Sequence, residues 1–93
     1  MDYENFKEKI VEDLKDELYG RGEEVSIRIT DVKKLNESYE AITITPEGSN
    51  IGVNIDLERV YGALDNGTPY AEVVEKTADL IQRGFSERPD IDV

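Results

Sequence analysis

Apolar residues near the start of the chain recur at steps of three and four: Tyr3, Phe6, Ile10, Leu14 and Leu18. That spacing draws a single stripe down a helix, which we expect to be capped by Asp2 and to run to about Tyr19. The opposite face carries Glu4, Glu8, Glu12 and Asp16, like charges four residues apart that mildly destabilise an isolated helix. Packing against the rest of the chain must therefore hold it. Gly20 and Gly22 supply the stop.

From Glu24 the period drops to two. Val25, Ile27 and Ile29 alternate with Ser26, Arg28 and Thr30, the pattern of a strand with one wet face. Residues 33–38 read as a loop. A second strand is expected over 39–45, with Ile42 and Ile44 on one face and Ala41, Thr43 and Thr45 on the other. Pro46-Glu47-Gly48-Ser49-Asn50 is a turn signal. A third strand over 51–55 then sets Ile51, Val53 and Ile55 inward, with Gly52 and Asn54 outward. Short connections make an antiparallel meander the simplest topology.

Helical spacing returns after Asp56, a candidate cap. Leu57, Val60, Tyr61 and Leu64 form one buried face, closed by Asp65-Asn66-Gly67. Thr68-Pro69 opens a further helix, whose inward stripe is Tyr70, Val74, Ala78, Ile81 and Phe85. The expected fold is thus α+β, in the order α-β-β-β-α-α: a three-stranded antiparallel meander with helices packed on one face. Residues 1–85 form the single domain, and 86–93 an acidic tail or linker containing Pro89.

Composition narrows the chemistry. A chain of 93 residues, 38% hydrophobic, supports one core. Its net charge is −11, from 22 acidic and 11 basic residues, which repels phosphate polymers and anionic membrane surfaces. We therefore expect neither direct nucleic-acid binding nor a membrane partner. The same acidity suits a decoy, a DNA mimic whose carboxylates occupy the phosphate site of a basic nucleic-acid-binding protein.

Cysteine and histidine are both absent, which excludes disulfides, the usual zinc sites and Ser-His or Cys-His nucleophiles. The opening Met1-Asp2-Tyr3-Glu4 lacks a signal-peptide pattern, and no apolar run approaches the roughly 18 residues of a membrane span. The expected compartment is the cytoplasm. Glycine spacing matches neither the P-loop nor the dinucleotide fingerprint, so no cofactor is expected. Carboxylate pairs are abundant but sit on wet faces, where nothing raises a pKa for acid–base work. Asn54-Ile55-Asp56-Leu57-Glu58 offers alternating oxygens, yet an EF-hand needs glycine at its sixth place and glutamate at its twelfth. Those places hold Arg59 and Asp65, and Asp56 reads more simply as a helix cap. No catalytic or metal-binding residue is assigned, and a non-enzyme is expected. A small carboxylate hydrolase or lyase would need a concave pocket with a buried acid.

Interest falls on the outward sheet face, where Ser26, Arg28, Thr30, Tyr39, Ala41, Thr43, Thr45 and Asn54 should project. Its plain reading is a solvated face rich in threonine, a good strand former. Its functional reading is a contact platform centred on Arg28, Tyr39, Thr43 and Asn54, since Arg and Tyr are frequent interface anchors. Tyr61 and Tyr70 read as core or core-edge residues.

Several stretches carry a resemblance. Asp2-Tyr3-Glu4-Asn5-Phe6-Lys7-Glu8-Lys9, then Glu47-Gly48-Ser49-Asn50-Ile51 with Ile55-Asp56-Leu57, then Tyr61, Asn66-Gly67 and Ala71-Glu72-Val73-Val74 follow one another along the chain. In these the sequence resembles the amino-terminal region of an uncharacterised bacterial family, domain of unknown function 5688, found in anaerobic Gram-positive bacteria. Its members are typically longer, so the resemblance implies an amino-terminal domain ending in a linker at Pro89. It implies no activity and no functional residue. The expected function is that of a non-catalytic interaction or accessory domain, its partner another protein or the remainder of a longer chain.

Overall fold

The computed structural model describes residues 1–87. Helix α1 spans Tyr3–Gly20, and the Asp2 side chain accepts from the Asn5 N–H at 2.8 Å as its cap. Phe6, Ile10, Leu14 and Leu18 are fully buried, the stripe read from their spacing. The helix closes at Gly22, whose φ of 87° lets the Glu23 N–H turn back to the Leu18 carbonyl at 2.8 Å.

Strand β1 (Val25–Lys34) pairs antiparallel with β2 (Glu37–Pro46), and β2 pairs antiparallel with β3 (Val53–Asp56). The sheet order is β1-β2-β3, a meander. Register places Ile27, Ile44 and Val53 in one cross-strand row and Ile29, Ile42 and Ile55 in the next. Both rows face the helices. Helix α2 (Leu57–Asp65) begins at Asp56, whose Oδ1 accepts from the Glu58 N–H at 3.0 Å. Helix α3 (Tyr70–Glu87) completes the order α-β-β-β-α-α.

All three helices cover the isoleucine face. One cluster joins the α1 stripe to Val25, Ile42 and Ile44 of the sheet, Leu57 and Val60 of α2, and Val73, Val74, Ala78 and Ile81 of α3. Phe6 anchors an aromatic group, with ring centroids 5.1 Å from Tyr61 and 6.4 Å from Tyr70. Both tyrosines are half-buried with their hydroxyls bonded, Tyr61 to the Met1 carbonyl at 2.9 Å and Tyr70 to Asp13 at 2.6 Å. Arg21 clasps α1 to α3: its Nε donates to Glu17, and its Nη1 donates to Asp79 and Gln82.

The structure corrects the expected elements in four places. Residues 33–38 are not a loop: β1 and β2 run on to a turn at Leu35 and Asn36. Apolar alternation stops at Ile29 because the inward positions beyond it are Asp31 and Lys33, but backbone pairing is indifferent to side-chain polarity. Strand β3 begins at Val53 rather than Ile51. Gly52 is a close backbone approach, since a Cβ there would lie 2.8 Å from the Ile44 carbonyl oxygen. The buried arc of α3 also takes in Val73 and Thr77, because that helix packs on α1, α2 and β3 at once. Finally, Ser86 and Glu87 belong to α3, and the rest of the expected tail, 88–93, lies outside the described residues.

Candidate functional site

Residues directly opposite one another in an antiparallel pair share a face, so the register defines the surface turned away from the helices. Ser26 pairs with Thr45, Arg28 with Thr43 and Asn54, Thr30 with Ala41 and Asp56, and Val32 with Tyr39. Three of the four expected site residues, Arg28, Thr43 and Asn54, therefore form one row across all three strands. Tyr39 stands apart. It lies four residues from Thr43 along β2, about 13 Å at strand rise.

Hydroxyls tie the row together. Thr43 Oγ1 donates to Asn54 Oδ1 at 2.8 Å and lies 2.7 Å from Thr30 Oγ1. A hydroxyl has one proton, so Thr30 is the donor to Thr43 and the chain of donation runs from β1 to β3. Thr30 is the member that sequence reading left out of the site, because it sits diagonally to Thr43 and only the register reveals that. The ladder fixes these side chains and leaves the Asn54 amide free to donate outward. Arg28 is exposed beside it and makes no ion pair among the described residues.

The face is not uniformly wet, as the sequence suggested. Asn54, Ser26 and Arg28 are exposed, while Thr30, Tyr39, Thr43 and Thr45 are half-buried. Ala41 is fully buried although it points to this face, a small methyl between the larger Thr30 and Asp56 on the flanking strands. The face thus has a dry centre, a polar row on one side and the Val32–Tyr39 pair on the other.

Displaced titrations lie across the sheet, on the helix-covered side. Lys7 and Tyr3 both donate to Glu40 and hold its carboxyl below the usual carboxylate range. The Tyr70 hydroxyl, followed by Lys9, does the same for Asp13. Each couple fastens α1 to a neighbouring element. In the calcium-like run, Asp56 caps α2 and Asn54 accepts from Thr43.

Fold and face together define a small acidic α+β domain with an open, polar-laddered sheet. The chain belongs to the Family of unknown function (DUF5688), whose model matches residues 3–93. No curated protein and no solved structure matches it. Among the described residues, no helix is long and apolar enough to cross a membrane.

Proposed function

We propose that this chain is a non-catalytic, cytoplasmic interaction or accessory domain whose open sheet face docks a protein partner or the remainder of a longer chain. The observation that supports it is the Thr30–Thr43–Asn54 ladder with Arg28, unpaired among the described residues, alongside. Preorganised side chains cost little further ordering on binding, and an arginine without an internal partner has its donors available for one. The half-buried pair Val32 and Tyr39 adds apolar surface further along the same face. The test is capture from native lysate at low salt. Wild-type chain should retain a partner, Arg28→Glu and Tyr39→Ala should lose it, and Arg83→Glu on α3 should keep it. Circular dichroism must confirm that every variant is folded. Equal capture by all of them would remove the sheet face from consideration.

A second reading, the acidic decoy, draws on the exposed row Glu4, Glu8, Glu12 and Asp16 along α1. It ranks below the first because Lys9 and Lys15 flank the row and exposed acids are spread over α2 and α3 as well. Steep loss of a basic partner with added salt, unaffected by Arg28→Glu, would favour it.

A further inference from the structure

Helices α2 and α3 leave a groove over β3 of about 220 Å³, with apolar walls from Ile55, Val60, Val73 and Leu80. Three observations mark it. Leu80 is 50% exposed there although its neighbours Val60 and Val73 are buried, so the wall is open to solvent. Thr77 lines the same groove at 4% exposure, and its hydroxyl has no hydrogen bond among the described residues. No polar side-chain atom there is both sealed and unpartnered, so that hydroxyl must open on the groove itself. Facing a groove open to water, that hydroxyl is hydrated in the free chain and is placed to exchange its water for a ligand oxygen.

Charge is the third. The chain carries −11 overall, yet both charged residues lining this groove are cations, Arg59 and Lys76. Arg59 makes no ion pair among the described residues. Lys76 meets Glu72 only at 3.8 Å on an exposed surface, a weak pair that a better acceptor can replace.

We infer that the α2–α3 groove is a binding site for a small aliphatic carboxylate. Its hydrocarbon chain lies against Ile55, Val60, Val73 and Leu80, its headgroup meets Arg59 and Lys76, and the Thr77 hydroxyl donates to it. The groove is smaller than the roughly 300–1,000 Å³ of drug-sized sites, which favours a short single chain. The site is made by the helices and the covered face of β3, so it stands or falls independently of the open sheet face.

The test is a nitrogen-15 NMR titration of the full chain with octanoate at physiological salt, where the overall negative field is screened beyond about 8 Å. Saturable shifts are expected at the amides of Ala63, Lys76, Thr77 and Leu80. Octylammonium and octanol, with the same chain, should bind at least about tenfold more weakly. Thr77→Val is nearly isosteric and keeps the fold; it should weaken octanoate about 3- to 10-fold, the worth of one hydrogen bond. Leu80→Glu, at a solvent-open position, should abolish binding. Absence of saturable shifts in the groove, equal binding of octylammonium or octanol, or undiminished binding by Thr77→Val would each overturn the assignment.

Discussion

The Tyr3 hydroxyl donates to Glu40 Oε1 at 2.9 Å, and so pins the first turn of α1 to the central strand. Glu40 points to the covered face just beyond the last isoleucine row, with Asp31 opposite it. A carboxylate in that position needs partners, and Lys7 supplies the second at 2.9 Å. Lys7 first and Tyr3 second depress the Glu40 pKa. A depressed carboxyl stabilises the fold above its unfolded value of about 4.3 and loses that contribution as pH falls through its folded one. Asp13 acts in the same direction. Thermal melts followed by circular dichroism should therefore show the melting temperature falling below about pH 4.5, with a shallower fall in Glu40→Gln.

Tyr70 is the alkaline counterpart. Burial, then its bond to Asp13, raises its pKa. A raised tyrosine contributes stability that is complete below the unfolded value of about 10 and lost as pH climbs through the folded one. We expect Tyr70→Phe to lose about 1 kcal/mol at neutral pH, from one charge-assisted hydrogen bond in a partly solvated setting. Above about pH 10 the gap from wild type should narrow. Urea denaturation at the two pH values would measure it.

Periodicity revealed every element here, because each helix and strand buries an apolar set at its own period: Phe6 to Leu18 at 3.6, Ile27 with Ile29 and Ile42 with Ile44 at two. It failed where structure is carried by the backbone alone. The far half of the β1–β2 hairpin has Asp31, Lys33 and Glu40 inward, so no alternation announces it. Its turn uses Leu35 at a φ of 58° where Asn or Gly would have been the signal. For the site, alternation placed Arg28, Thr43 and Asn54 on one face. Only the register could show that they form a row, that Thr30 joins it, and that Tyr39 does not. The α2–α3 groove was illegible because only the packing of β3, α2 and α3 shows that Arg59, Lys76 and Thr77 line one groove.

Two glycines should respond oppositely to alanine. A Cβ on Gly52 would meet the Ile44 carbonyl oxygen and Thr45 Oγ1, both at 2.8 Å, and a backbone oxygen in a paired strand cannot easily give way. Gly52→Ala should cost about 1–3 kcal/mol. A Cβ on Gly62, inside α2, meets nothing within 4 Å, and alanine is the better helix former. Gly62→Ala should gain about 0.5–1 kcal/mol. At about 4–8 °C per kcal/mol for a domain of this size, both shifts are readable by thermal melting.

The central proposal, that the sheet face is the docking surface, is most directly tested by contact. A photoactivatable benzophenone amino acid would replace exposed Ser26, next to Arg28 on the open face, in one sample and exposed Glu75 on α3 in another, each irradiated in native lysate. A discrete covalent adduct at position 26, lost when the second substitution Arg28→Glu is added, and none at position 75, is the expected result. An adduct at 75 alone, or none at 26 under gentle low-salt conditions, would contradict it.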